Sequence, residues 1–476
     1  MSKQLKKLLA MTILAFVPIV SEALPIDWHG SFGVDSTIIS DYRRIKSNSD
    51  NSGSTGTQEV ALDPGKKGSA SWQSYILKLD PVMVINDAGT FFAELTTGYA
   101  NGGFLGDSAQ TDSTGVINGT SLSHYNQAKN QNLNIKKVYL EVYSDTATYL
   151  IGRHTYNWGL GALFSDGSNT WDRHASSHDG ITMKLKIGNF NVTPYWSKVS
   201  NTGYTDTTNS KEYGTGFLYD NQERDISFGL LYGKKSASNN SLTVAGENDI
   251  TITDIYLKKV FGKFDMAIEV PLMSGTLGKF TTGVSSYSAK ALLLQTNYKH
   301  NDSWTFGFDA GQASGHDGNN GTFGALYLNP NYQVANLLFR YNLSAIAKEI
   351  TDTNTASIYD SYITNTRYFK LRAGYASEKW TFDSALIKAI ALKVAKTGSG
   401  AYNHATNKRF DANANQSNNL GTEIDLNADY HWNKEISIGT GLGYLVTGDY
   451  FGFTNTATPN SVKNSMLLQL NTSVTF

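Results

Sequence analysis

A strict alternation of apolar and polar residues at the end of this chain limits its possible folds more than any other feature. One side of the stretch 466–476 carries Met466, Leu468, Leu470, Thr472, Val474 and Phe476. The residues between them are mostly polar. A two-residue period indicates a strand whose two faces meet different surroundings. Because a free C-terminus rarely sits in a soluble core, the pattern predicts a strand that meets lipid on one face and closes a sheet.

The same alternation recurs along the chain. In the stretches 264–272, 368–375 and 420–431, charged residues occupy one face and apolar residues the other. One charged face is ordinary for a soluble sheet. Its repetition on strand after strand, with almost no charge opposite, predicts a wet interior and a lipid-facing exterior.

The connections between these stretches fall into two classes. Short turns rich in Gly, Asn, Asp and Ser are predicted at 86–89, 144–145, 188–189, 262–263, 301–303, 377–379 and 433–435. Long polar loops are predicted at 47–70, 101–130, 200–223, 236–248, 344–365, 397–419 and 454–461. Short turns on one side and long loops on the other are typical of outer-membrane barrels.

The fold predicted for residues 24–476 is a single all-β, antiparallel transmembrane β-barrel of about 18 strands (range 16–18). The predicted strand centres lie near residues 33, 78, 95, 138, 149, 184, 193, 229, 256, 268, 293, 307, 338, 371, 384, 426, 441 and 470. A barrel of this size is wide enough for an aqueous channel.

The first 23 residues have the pattern of a secretory signal peptide. Lys3, Lys6 and Lys7 precede the apolar stretch 8–20, and the segment 21–23 places small residues where a signal peptidase cleaves. An N-terminal anchor helix is the alternative, but the apolar stretch is shorter than the roughly 18 residues that a membrane helix needs. The signal predicts export, and with the barrel it predicts the bacterial outer membrane.

Composition excludes several classes of function. The chain has no cysteine, so thiol catalysis, disulfide frameworks and Cys-based metal sites are excluded. Forty Lys and Arg residues balance 41 Asp and Glu residues, and no basic face indicates nucleic-acid binding. We expect neither a cofactor nor a metal.

Two stretches resemble a known family. They are 149–185 and 311–332, and the matching pairs are Gly152-Arg153, Trp158-Gly159, Asp179-Gly180, Ser314-Gly315 and Thr322-Phe323. Together they are similar to the alginate-export porin family, although His316 stands where that family usually has Asp. The resemblance implies an eighteen-stranded barrel and a channel with a strongly basic interior that suits a polyanion.

The predicted pore lining departs from that expectation because it mixes both signs of charge. The candidates are Glu141, Arg153, Lys184, Lys186, Asp254, Lys258, Glu269, Arg340, Lys370, Arg372, Glu423, Asp425 and Asp429. A mixed wall suits small polar or zwitterionic solutes. The sequence therefore predicts a porin-like diffusion channel, with dedicated polysaccharide export as the alternative. The loop 154–171 either folds inward as a constriction or covers the extracellular mouth.

Three further features of the sequence have both a chemical and a plainer interpretation. His174 and His178, beside Asp172 and Asp179, could bind a metal on a helix, but the segment is predicted as a loop. The glycines of the stretch 439–443 recur every second residue, which fits small inward side chains better than a nucleotide loop. Catalysis at the rim would need a Ser/His or Asp/His arrangement.

No Gly-x-Ser-x-Gly stretch is present, and Ser437 is near His431 in sequence only. No enzymatic activity is therefore predicted. A rim enzyme or a surface adhesion protein remains a third hypothesis.

The predicted partners are outer-membrane lipid and small polar solutes or a polysaccharide. Phe476 also resembles the C-terminal signal of the outer-membrane assembly machinery. The sequence leaves the choice between monomer and trimer open.

Overall fold

Eighteen antiparallel strands pair edge to edge and close into a barrel. The computed structural model describes residues 24–46, 68–97, 103–105, 133–200, 210–237, 248–280, 283–319, 321–346, 357–456 and 458–476. The predicted signal peptide, residues 1–23, lies outside these ranges.

The first nine barrel strands are β1 (Ile26–Ser40), β2 (Ala70–Asn86), β3 (Gly89–Thr96), β4 (Asn134–Tyr143), β5 (Ala147–Thr155), β6 (Ser177–Ile187), β7 (Phe190–Ser200), β8 (Ser210–Asn221) and β9 (Ile226–Ala237). The other nine are β10 (Asn248–Phe261), β11 (Phe264–Phe280), β12 (Gly283–Lys299), β13 (Trp304–Ala313), β15 (Thr366–Ala376), β16 (Trp380–Ala391), β19 (Asn419–His431), β20 (Ile436–Thr447) and β21 (Ser465–Thr475).

Four short elements are not among the eighteen strands that close the barrel. They are β14 (Thr322–Phe323), the hairpin of β17 (Gly400–Asn403) and β18 (Lys408–Asp411), and the helix α1 (Leu343–Ile346). A 3₁₀ turn, Gln222–Arg224, joins β8 to β9.

The first and last strands join to close the wall. In their antiparallel register, Gly33 pairs with Ser473 and Ser31 with Thr475. The amide of Gly30 donates to the carbonyl of Phe476 at 2.9 Å, and the amide of Phe476 donates back at 3.0 Å. The strand predicted to close the sheet therefore does so, and no barrel strand is left with an open edge.

The predicted number of strands is confirmed, but two of the individual assignments are wrong. The stretch 200–223, predicted as a loop, contains β8, whose Gly214 and Gly216 leave the middle of its inward face without polar side chains. The strand predicted near residue 338 does not exist, and that stretch lies inside the barrel. Its run of apolar residues reflects burial on all sides.

The short-turn positions agree with the sequence prediction, with the 222–225 turn added. Part of the predicted loop 397–419 instead forms the β17–β18 hairpin.

The outward face of the barrel is an apolar band with aromatic edges. Paired residues of antiparallel strands share a face, so the register assigns every strand position to one side. Outward residues near the short turns include the large exposed side chains Phe190, Phe261, Phe264, Tyr298, Trp304, Trp380, Trp432 and Phe476. Aromatic residues at this level match the girdle of a membrane barrel. No helix in the described ranges is long and apolar enough to cross a membrane.

The assignment of faces can be tested at the middle of β21. Leu470 points outward with 54% of its side chain exposed, and Asn471 points inward opposite Asp35. We expect Leu470→Arg to lower the free energy of unfolding in lipid vesicles by about 2–4 kcal/mol, because a guanidinium would enter hydrocarbon.

Asn471→Arg is the matched control one residue away. Its side chain reaches the interior, so the loss should stay below about 1 kcal/mol. Urea titrations of both variants in the same vesicles provide the comparison, and equal losses would contradict the assigned faces.

Candidate pore and its inward segments

Two long connections fold into the barrel. The first inward segment comprises residues 156–176, between β5 and β6. Its Trp171 ring lies against Gly33 of β1, where an added Cβ would come within 2.7 Å of the ring. Its Trp158 ring lies against Gly229 of β9, where an added Cβ would come within 2.9 Å. Glycine at these wall positions lets two indole rings approach the strands from inside.

Basic side chains of the wall hold the middle of the first inward segment. Lys78 and Lys136 both donate to the carbonyl of Gly167, at 2.9 and 2.7 Å. Lys136 also pairs with Glu94 at 2.8 Å, and both side chains are buried. A buried ammonium with a carboxylate and a carbonyl as partners has most of its hydrogen-bonding capacity filled.

The same segment reaches two other parts of the wall. Arg173 donates to Ser74 at 2.6 Å and lies 3.7 Å from the carboxylate of Asp35. Further along the barrel, Glu269 of β11 accepts a hydrogen bond from the amide of Leu160. The contacts on β1, β2, β4 and β11 show that the segment spans the interior. Of the two alternatives for loop 154–171, the structure has the inward one.

The second inward segment comprises residues 324–346 and 357–365; the residues between them lie outside the described part. Wall carboxylates on β19 hold its middle. Glu423 accepts hydrogen bonds from the amides of Leu337 and Leu338 at 2.6 and 2.8 Å. Asp425 accepts one from the amide of Asn336 at 3.1 Å. Three successive amides that point at two carboxylates form a compact anion-binding turn.

The two inward segments also bind each other. The amide of Asn329 donates to the carbonyl of Ala162 at 2.7 Å. The side chain of Asn331 donates to the carbonyl of His174 at 2.7 Å. The guanidinium of Arg173 lies 4.0 Å from the centre of the Tyr359 ring. The segments therefore form one body within the barrel.

An apolar core joins this body to the wall. It includes the fully buried side chains Leu326, Leu328, Leu338 and Ile363 of the second segment and Leu293, Tyr368, Ile387 and Leu445 of the strands. Burying one such aliphatic side chain contributes roughly 1.5–3 kcal/mol. The barrel thus has an internal core, and the inward segments narrow its lumen.

Several predicted pore-lining residues lie on the inward face near the short turns. Glu141 and Lys184 face each other at 3.6 Å, and the Lys184 side chain is 52% exposed. Lys186, Lys258 and Asp429 lie on the same face and are exposed or half-buried. The half of the interior nearest the short turns therefore has a charged wall that is accessible to solvent.

The predicted residues on β15 lie on the inward face at mid-height. Arg372 makes a bidentate pair with Asp309 of β13, at 2.7 and 2.8 Å. Lys370 is half-buried one step nearer to the second inward segment. Arg340 was predicted on a strand, but it lies on the second inward segment and bonds to Gln333 and Gln469.

Four predicted pore-lining carboxylates require correction. Asp254, Glu269 and Glu423 are fully buried, and Asp425 is 1% exposed. They point inward as predicted, but the inward segments cover them. The prediction assumed an open wall, whereas Glu269, Glu423 and Asp425 accept hydrogen bonds from backbone amides.

Arg153 requires a different correction. It pairs across the strands with Val138 and Asp179, on the outward face that Ile151 shares. Its guanidinium bonds to the Asp179 carboxylate at 2.7 Å near the end of β5. The Gly-Arg motif therefore places this side chain outside the barrel, and Arg153 does not line the pore.

A cavity of about 590 Å³ opens between the second inward segment and the surrounding loops. Aromatic residues line it, including Tyr327, Phe339, Tyr362 and Phe451, together with Arg44. It lies on the side of the long loops, where a solute would enter before reaching the inward segments.

The histidines do not form a metal site. His174 lies 3.5 Å from Asp360, whereas His178 stacks on Tyr195 with 4.3 Å between ring centres. Within the described ranges no group of three or more His, Cys, Asp or Glu side chains could hold a metal. Burial lowers the pKa of His174, so its contact with Asp360 involves a neutral imidazole at pH 7.

The prediction that Ser437 is near His431 in sequence only is wrong, because the two residues pair across β19 and β20. Nδ1 of His431 lies 3.0 Å from the Ser437 hydroxyl, and Nε2 lies 3.1 Å from the Thr381 hydroxyl. Both ring nitrogens contact hydroxyl groups. Neither contact is the imidazole–carboxylate pair that orients a catalytic histidine.

Comparisons with solved structures find similar chains. Pseudomonas aeruginosa OccK2 (OpdF) is 9% identical, with a TM-score of 0.48 over 94% of this chain and 98% of that one. Pseudomonas aeruginosa OpdK, solved with vanillate, is 10% identical, with a TM-score of 0.47 over 94% of this chain and 98% of that one. The anion-selective porin from Comamonas acidovorans is 10% identical, with a TM-score of 0.40 over 95% of this chain and 100% of that one.

No protein-family model matches the chain, and no curated protein matches it. One of these solved structures is named an anion-selective porin, and another similar chain is OmpT, an outer membrane protein of Vibrio cholerae. These comparisons do not show the alginate-export family.

The hydrogen bonds from the amides of Leu337 and Leu338 to Glu423 can be tested by mutation. Glu423→Ala leaves the amides of Leu337 and Leu338 without their acceptor, at a cost of about 1–3 kcal/mol for a buried group. Hydrogen–deuterium exchange in the stretch 333–343 should then become roughly tenfold faster or more.

Asp429→Ala is the matched control, because it removes an inward carboxylate of the same strand at the other end of β19. Its exchange in 333–343 should equal that of the original protein. Unchanged exchange in Glu423→Ala would show that the carboxylate does not hold the segment.

Proposed function

We propose that the protein is a channel of the bacterial outer membrane through which small polar solutes diffuse passively. The observation that carries the proposal is the contrast between the two faces of one closed sheet. The outward face is apolar with aromatic edges, while the inward face near the short turns carries exposed charged side chains such as Lys184 and Lys186. Charges on the inner wall fit a water-filled path.

The inward segments set the width of this path. They are held by a buried ion pair between Arg173 and Asp35, by wall carboxylates and by an apolar core, so they act as a fixed constriction. A solute passes from the cavity at the long-loop side, beside the segments, to the charged wall below. Selection comes from width and from wall charge.

The wall charge favours small solutes over a polyanion. Glu141 faces Lys184 and Asp309 faces Arg372, so acidic groups offset basic ones along the wall. The candidates for contact with solutes are Glu141, Lys184, Lys186, Lys258, Arg340, Lys370, Arg372 and Asp429. Export of an alginate-like polymer is the alternative that the sequence resemblance implies.

Ion selectivity tests the role of the wall. In planar bilayers the protein should form ohmic channels, and Lys184→Gln with Lys186→Gln should shift the reversal potential in a salt gradient toward cations, because two inward positive charges are lost. Lys259→Gln is the control. It removes an outward charge near the same end of the barrel, and it should leave the reversal potential unchanged.

Absence of conductance in every preparation would contradict the channel. Conductance that is strongly anion-selective and blocked by a polyanionic polysaccharide would favour the polymer exporter instead.

We also propose that Phe476 is read by the outer-membrane assembly machinery. The residue lies at the closing seam, and its side chain is 53% exposed on the outward face. Phe476→Ser keeps both backbone hydrogen bonds to Gly30, so spontaneous folding into vesicles should be nearly unchanged. In cells, the amount of assembled barrel should fall several-fold, measured by heat-modifiable gel mobility. Equal losses in vesicles and in cells would assign the effect to barrel stability.

A further inference from the structure

The outward face of the barrel carries its charges almost entirely at one end. Across the strand positions whose side chains the structure describes, seven basic residues face outward toward the long-loop end. We call these the outer basic ring: Arg153, Lys198, Lys211, Lys234, Lys290, Arg367 and Lys388. On the outward face of the short-turn end, the strands carry one, Lys259.

The members of the outer basic ring lie at one height. Counted from the short-turn end of its own strand, each occupies a position between the seventh and the eleventh residue. Nine residues at about 3.3 Å each, on strands tilted by about 40°, rise roughly 23 Å. That rise matches the apolar band of a membrane barrel, about 25 Å tall. The ring therefore lies where the hydrocarbon of the outer leaflet ends.

Aromatic neighbours mark the same boundary. Trp196 and Tyr213 face each other on the outward side of β7 and β8, and both are more than 40% exposed. Lys198 and Lys211 form the next outward pair toward the long loops. Trp and Tyr prefer the membrane–water interface, so the two ammonium groups lie at the level of the lipid headgroups.

The charge of this zone is strongly positive. Seven basic residues accompany two outward acidic residues, Asp179 and Asp249, which leaves a net charge of +5. Asp179 pairs with Arg153, and Asp249 pairs with Lys234 at 3.1 Å.

Three lysines of the outer basic ring, Lys198, Lys211 and Lys290, indicate what the ring could bind. Lys198 and Lys211 are directly opposite each other, and like charges in that position repel. Within the described ranges no salt bridge joins Lys198, Lys211 or Lys290 to a carboxylate. An anion from outside the chain would relieve the repulsion.

We propose that the outer basic ring binds the phosphate groups of anionic lipids in the outward-facing leaflet. Lysine and arginine side chains that face lipid at headgroup height meet phosphate before any other anion. The lipid phosphates supply the negative charge that offsets the basic side chains. The outer basic ring in turn fixes the height and orientation of the barrel in the membrane. This inference rests on the proposed outer-membrane location, and it does not depend on what the channel conducts.

Lipid retention tests the ring. The full-length barrel is folded into vesicles of phosphatidylcholine mixed with lipid A, extracted in mild detergent and washed. Lipid A that remains bound is then counted by native mass spectrometry. The ring variant carries Lys198→Gln, Lys211→Gln, Lys290→Gln and Lys388→Gln. We expect it to retain on the order of tenfold less lipid A than the original protein. Retention by the original protein should also fall as salt rises.

The matched control removes the same number of charges elsewhere, through Lys184→Gln, Lys186→Gln, Lys258→Gln and Lys259→Gln. It should retain as much lipid A as the original protein. Equal retention by the ring variant would overturn the proposal, and equal loss by the control would reduce it to a general effect of net charge. Heat-modifiable gel mobility checks that each variant is folded.

Conductance of the same preparations separates the two proposals. Retained lipid A without conductance would leave the ring standing and contradict the channel. Conductance together with unchanged lipid A retention in the ring variant would support the channel and contradict the role of the outer basic ring.

Discussion

Backbone hydrogen bonding across the seam of β1 and β21 is the constraint on which the structure depends. An extended chain in hydrocarbon cannot leave amide or carbonyl groups unpaired, because each costs several kcal/mol. The pairing of Ser31 with Thr475 and the two hydrogen bonds between Gly30 and Phe476 remove the last open edge. Once the sheet is closed, alternation along every strand separates an apolar exterior from an interior that can hold polar groups.

That interior is organised by a second set of hydrogen bonds. Acidic and basic side chains on the wall bind the backbone of two long connections and hold them inside. Wall residues of both charges take part. Glu423 accepts hydrogen bonds from backbone amides, and Lys136 donates one to a backbone carbonyl. The interior therefore has two zones, an internal core at the height of the inward segments and a charged wall below.

The sequence predicted the wall well because its signal is local. Two-residue periodicity and turn residues are properties of neighbouring positions, and they placed most strands, the short turns and the closing strand. Strand β8 was not predicted, because Gly214 and Gly216 carry no side chain that would mark one face of the strand. The false strand near 338 arose because a segment buried inside a barrel is as apolar as a strand that faces lipid.

The site was harder to predict because its contacts are not local. Nothing near Glu423 in the sequence shows that residues 336–338 will cover it, and so it was predicted to line an open pore. Arg153 was misplaced because the motif identifies its neighbours in sequence and not the face on which it lies. Pairs such as Lys136 with Glu94, on adjacent strands at one height, are a signal that could have indicated an anchored inward segment.

Single-cysteine labelling on β6 tests the central claim most directly, because the native chain contains no cysteine. A charged, water-soluble maleimide is applied to the barrel folded in vesicles. A cysteine that replaces Lys184 or Lys186 should react rapidly from the aqueous interior. A cysteine that replaces Met183 or Leu185 should be protected by lipid. Alternating reactivity along the strand is the predicted result, and equal reactivity at all four positions would contradict a wall with water on one face and lipid on the other.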